Sequence, residues 1–200
     1  MLHLAITPST KSWLSFGLQY HMSTNSLPKI VRTVTTAAGN ELLGTVPPHR
    51  FYIFLHTPHP PAEYAPRITS GVQRALQLNV LKLGGLVNFS WSAEQPVSRN
   101  VEEIESYAAT AFSPSGRLDI PSLSSSNMND VVRMLASHAS ASSGTRASVD
   151  VNLYVCTHGA RDCRCGDRGG LVVRALRDEV ERRNLKHVRV AEVGHVGGHK

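Results

Sequence analysis

The 200-residue chain has three cysteines, too few and odd in number for a disulfide-stapled secreted scaffold. It has no run near the roughly 18 to 20 consecutive apolar residues that a membrane-spanning helix requires. It also lacks a dense basic stripe of the kind that follows nucleic acid. Arg161, Arg164 and Arg168 cluster, but Arg182 and Arg183 stand among Asp178, Glu179 and Glu181, the pattern of a solvated helix face. There is no glycine-rich nucleotide loop, no Ser–His–acid arrangement, and no pair of carboxylates that can be placed across a sugar. These absences point to an intracellular soluble protein that binds no nucleic acid and spans no membrane. Its cysteines are then expected to be reactive or metal-binding.

One further absence is local. Residues 1–40 contain no Asp or Glu, and carry +3 of the formal net charge of +6. An acid-free, Ser-rich start with scattered apolar residues suggests a mitochondrial presequence, or else a disordered tail. Met22 offers an internal start, hence a possible second, cytosolic form beside a matrix form.

What is present divides into two halves. Arg50 to His56 is a compact apolar run between Pro47-Pro48 and Pro58, Pro60 and Pro61, which predicts a buried strand ending in a rigid loop. Ile68, Val72, Ala75 and Leu76 fall at helical spacing from Pro66 to about Leu81, and Leu86 to Trp91 predicts a second strand. Val101 to Ala111, with Glu102, Glu103 and Glu105 in its first turns, reads as a helix. So does Asn129 to His138, with Asn129 or Asp130 as its cap. The polar stretch 137–148 reads as a linker. The expected organisation is a tail over 1–40, an α/β domain over 41–136, that linker, and a second domain over 149–200.

The second domain has the sharper pattern. Val149 to Cys156 and Lys186 to Val193 alternate with period two, and Gly170 to Asn184 carries an apolar helical face. The order is strand, Cys loop, helix, strand, His loop. In a βαβ unit both loops leave the carboxyl ends of their strands at one sheet edge. The spacing is Cys156, eight residues, Cys165, twenty-nine residues, His195, three residues, His199. Thiolates and imidazoles ligate zinc, copper and iron–sulfur centres alike, so residue types alone leave the metal open. The Cys spacing is unlike that of zinc fingers, where two to four residues intervene. Gly197 and Gly198 let the backbone turn between two imidazoles.

These residues carry a resemblance. Cys156, Cys165 and His195-Val-Gly-Gly-His199 are similar to the motif of the sucrase/ferredoxin-like family. Within it they resemble the mitochondrial altered-inheritance-of-mitochondria branch, a relative of the fungal actin-patch-distribution protein. The likeness is strongest over 149–200 and weaker over 50–91. It implies an α/β fold with a thioredoxin-like ferredoxin domain at the C-terminus, preceded by a divergent α/β domain. It also implies a [2Fe–2S] cluster, with Cys156 and Cys165 on one iron and His195 and His199 on the other. The family continues past the position of Lys200, so the resemblance implies an incomplete ferredoxin domain here. Two neutral imidazoles in place of two thiolates make the oxidised cluster neutral and raise its potential, as in Rieske centres. Each ligating imidazole keeps a ring N–H, which couples proton to electron. The implied partners are a redox protein and the iron–sulfur assembly machinery. The implied role is electron transfer or redox sensing in mitochondrial redox homeostasis, without a substrate of its own.

Two other functions use the same residues. One is a zinc-stabilised binding module on the four ligands. The other is a thiol–disulfide oxidoreductase on Cys163 and Cys165, although C-x-C is not the C-x-x-C of that chemistry. Arg161 and Arg164 are candidate donors to the cluster. The remaining histidines are expected to be structural: His158 on the loop surface, His56 and His59 in loop polarity or packing.

Overall fold

The computed structural model describes residues 2–5, 49–94, 105–141 and 150–196. Among the described residues, seven strands form one mixed sheet in the order β1-β6-β7-β3-β2-β4-β5. These are β1 Leu2–Ala5, β2 Phe51–His56, β3 Gly85–Trp91, β4 Ser106–Ser113, β5 Gly116–Ser124, β6 Val151–Cys156 and β7 Val188–Val193. The helices are α1 Gly71–Leu81, α2 Met128–Ser140 and α3 Gly170–Arg182. The fold class is α/β, as expected. None of the described helices is long and apolar enough to cross a membrane.

Two parallel crossovers organise the sheet. β2 pairs in parallel with β3 around α1, and β6 in parallel with β7 around α3. The ladder between the two units is confined to the strand ends, where β3 and β7 run antiparallel over two pairs, Ser90 with Val193 and Trp91 with Glu192. Strands from both sides of the expected linker therefore share one sheet. Residues 137–140 of that linker are the last turn of α2, and 142–148 lie outside the described residues.

Three boundaries move for local reasons. α1 begins at Gly71 rather than near Pro66, because the Ser70 hydroxyl caps it by accepting from the Gln73 amide at 2.9 Å. α2 begins after Asn127, not at Asn129 or Asp130. The largest change is at 106–111, expected as helix and found within β4; 101–104 lie outside the described residues. β4 is held between β2 and β5, with Tyr52 opposite Phe112 and Thr110 opposite Asp119. Two ladders override the weak strand propensity of its alanines and serines. Within the expected tail, residues 2–5 form β1, antiparallel to β6. Met22 and the rest of that tail lie outside the described residues.

Side chains alternate across a strand, so register assigns faces. Phe51, Ile53, Leu55 and Phe89 point one way and pack with Val72, Leu76 and Val80 of α1 and Val131 and Leu135 of α2. Val155 and Val190 point the same way and pack with Val173 of α3. All three α-helices described thus cover one face. The other face carries Phe54, Phe112, Tyr154, Cys156 and Val193, buried together with Cys165. β2 and β6 are three strand spacings apart, about 14 Å in a flat sheet. Yet the Phe54 and Tyr154 rings stack at 3.9 Å, so the sheet curls towards the face that bears the cysteines.

Candidate metal centre

Cys156 is the last residue of β6 and stands opposite Val193, the last of β7. The chain therefore leaves both strands at the same edge, which brings the loop after Cys156 beside Gly194 and His195. Cys165 arrives from the other direction. It begins a π-helical turn, Cys165–Gly169, that runs straight into α3, so it sits on a helical turn rather than in the expected open loop. The turn is started by Asp162, whose side chain accepts from the Arg164 amide at 3.0 Å.

Two glycine contacts close this loop onto the strand. A Cβ on Gly169 would stand 2.1 Å from the Cys156 carbonyl oxygen. A Cβ on Gly166 would stand 2.8 Å from the Cα of Gly159. Backbone meets backbone at both places, which only glycine permits, and the result draws Cys165 over Cys156.

The ligand atoms of Cys156, Cys165 and His195 all lie within 4.8 Å of one another. Cys165 Sγ is 3.8 Å from His195 Nδ1. Both thiols are buried, Cys156 at 0% exposure, while His195 is half-buried. Burial is the main cause, and the adjoining Cys156 thiol the next, that push the Cys165 thiol up to about 12. The Cys165 thiol thus holds its proton in water-poor surroundings until a bound cation displaces it to solvent. The donor set, two soft sulfurs and an imidazole in an apolar wall, fits a thiolate-preferring metal ion or an iron–sulfur centre. Burial also raises the Tyr52 phenol, opposed by its Asn88 hydrogen bond and reinforced by negative charge at Cys156.

Three of the four residues singled out by spacing are thus brought together. His199 lies outside the described residues, as do Gly197 and Gly198. Cys163 is exposed, unlike its two neighbours in the motif. Arg164 is taken up by Asp162, with Nε donating at 3.0 Å and Nη2 at 2.8 Å to its two carboxylate oxygens. Arg161 is exposed. His56, the last residue of β2, is buried and bonds Thr110 and Ser90, the packing role expected of it. His59 is exposed and faces Glu63.

The residue that sequence reasoning misplaced is His158. It is not on the loop surface but 4% exposed. Its Nε2 donates to the Ala65 carbonyl at 2.9 Å, its Nδ1 accepts from the His195 amide at 3.4 Å, and its ring meets Tyr64 edge-on at 5.5 Å. No spacing rule marks it; the available signal was its place two residues after Cys156. Asn88 holds the same segment from the other side, donating to the Gly194 carbonyl at 3.1 Å, while the Gly194 amide donates to the Phe89 carbonyl at 3.0 Å.

Over 51 residues the chain is 39% identical to Altered inheritance of mitochondria protein 32 from Meyerozyma guilliermondii. That stretch is 25% of this chain and 18% of the yeast protein, so the chain matches well under two thirds of its relative's length. No solved structure matches. The description "Sucrase/ferredoxin-like" applies to a profile that matches residues 42–200, most of the sequence and the whole of the Cys–His edge, and on that breadth the chain belongs to the sucrase/ferredoxin-like family.

Proposed function

We propose that the protein is a [2Fe–2S] electron-transfer or redox-sensing protein, with Cys156, Cys165, His195 and His199 as cluster ligands. The observation that carries this reading is the convergence of two buried thiols and one imidazole at a single edge of the sheet. When bound, the cluster supplies a one-electron couple whose potential is raised by histidine ligation. The residues do the rest. The Cys156 and Cys165 thiols give up their protons to bind. His195 reaches the site through Nδ1, so its Nε2 is the atom left to carry a proton that follows the electron. Phe54, Phe112 and Tyr154 exclude water from the thiol side. The partners of this reading are a redox protein and the iron–sulfur assembly machinery. Its setting is the mitochondrial matrix, with a cytosolic form from Met22.

One observation favours a second reading, a zinc-stabilised module. A tetrahedral zinc ion would set a sulfur and a nitrogen ligand about 3.6 Å apart, close to the 3.8 Å between Cys165 and His195. A thiol–disulfide oxidoreductase draws no such support. That chemistry needs an accessible, acidic thiol, and Cys165 is buried and pushed up to about 12.

Anaerobic iron, zinc and sulfide analysis with reduced-state EPR separates these readings. Two irons, two sulfides and a Rieske-like signal that changes in His195→Cys support the cluster. Zinc without sulfide overturns it. In the cluster reading the midpoint potential falls with pH above the imidazole pKa of the oxidised state, and a flat profile counts against it.

A further inference from the structure

Beyond the ligands themselves, the centre has a support that ties it to the other half of the chain. His158 is buried between two backbone groups of opposite polarity. The Ala65 carbonyl only accepts, so Nε2 carries the hydrogen; the His195 amide only donates, so Nδ1 is bare. One imidazole in one tautomer therefore holds the loop after β2 with one nitrogen and a candidate ligand's backbone with the other. The ring cannot tilt freely, because Tyr64 stands edge-on against it. Tyr64 is itself fixed, its hydroxyl 2.5 Å from the Thr57 hydroxyl. His158 lies two residues beyond Cys156, so the same short segment supplies one ligand and sets the backbone of another.

We propose that His158 is a positioning residue of the centre. Its Nδ1 fixes the His195 amide, and so the direction of the His195 ring, relative to Cys156; its Nε2–H fixes that arrangement to the loop that carries Ala65. This extends the metal-centre reading, but its geometric core holds for the metal-free chain as well.

Three substitutions dissect the two nitrogens. The side-chain oxygen of Asn reaches the position of Nδ1, and that of Gln, or its amide, the position of Nε2. His158→Asn keeps the acceptor for His195 and loses the donor to Ala65. His158→Gln does the reverse, and His158→Ala loses both. The first readout needs no metal: hydrogen exchange at the His195 amide of the metal-free protein. We expect exchange about tenfold faster in His158→Gln and His158→Ala, and near the parent rate in His158→Asn. The second readout is transfer of bound cobalt(II) to a chelator, followed through its thiolate charge-transfer band. We expect release 10- to 100-fold faster in His158→Gln than in the parent, and rescued by His158→Asn. Equal behaviour of all three variants and the parent overturns the proposal, and so does better retention in His158→Gln than in His158→Asn. If His158→Ala does not fold, the Asn and Gln pair still decides. If the parent binds neither cobalt nor iron, the metal-centre reading falls, while the amide exchange result still tests His158.

Discussion

The ring of Phe54 lies on the ring of Tyr154, with centroids 3.9 Å apart and planes 10° from parallel. One residue belongs to the first parallel crossover and the other to the second, two residues before Cys156. Phe112 meets both rings edge-on, at 6.1 Å and 5.9 Å. The trio walls the thiols on the concave side of the sheet and joins the two units by packing where the ladder between them is shortest.

Removing that wall should weaken both fold and site. Phe54→Ala is expected to cost about 3–5 kcal/mol of stability, the range for a buried Phe, as read by urea denaturation. In the metal-free chain the same change should speed the reaction of Cys165 with a disulfide reagent. An unchanged rate would mean the rings do not shield the thiol.

The three cysteines should separate cleanly in labelling. Cys163 is exposed and the other two are buried, so one thiol of three should react fast in the folded chain and all three in denaturant. Cys163→Ser should retain the metal, whereas Cys156→Ser and Cys165→Ser should lose it. Loss of metal in Cys163→Ser would redraw the ligand set.

Gly169→Ala places a methyl group where the Cys156 carbonyl already stands. Rigid backbone flanks the site, so the change should cost at least the roughly 1–3 kcal/mol of overpacking. It should also lift Cys165 away from Cys156, lowering the melting temperature and metal content together. Wild-type values for both would contradict the tight closure of this loop.

His56 predicts the pH dependence of stability. Burial first, then the Arg117 charge, lower it from 6.5 to about 4, with Asp119 opposing. The unfolded chain then binds a proton that the folded chain refuses between those values, so stability falls as pH drops from 6.5 towards 4. The full effect is about 3 kcal/mol. His56→Gln should flatten this window in denaturation measured at successive pH values. An unchanged slope would place the effect elsewhere.

Much of the centre was legible because one periodicity decides it. Alternation over Val151, Leu153 and Val155, a helical apolar face, then alternation again dictate a parallel crossover, and a parallel crossover dictates that Cys156 and His195 leave at one edge. β4 was not legible. Glu102, Glu103 and Glu105 suggested the start of a helix, whereas the next eight residues owe their form to strands on both sides. The turn signal was Gly116, which opens β5 at φ +108°. His158 was illegible for a different reason: its partners are backbone groups at Ala65 and His195, 93 and 37 residues away. Backbone partners leave no mark in residue type.

The two-pair junction between β3 and β7 also sets a clock. His195 follows directly from that junction, and Gly194 is bonded to β3 on both its amide and its carbonyl. When the junction opens, His195 stays with β7, which remains paired with β6, but the segment loses the β3 bonds that steady Gly194. The imidazole would then loosen without parting from the thiols, and the residence time of a bound metal would lengthen or shorten with the lifetime of a junction that touches none of the ligands.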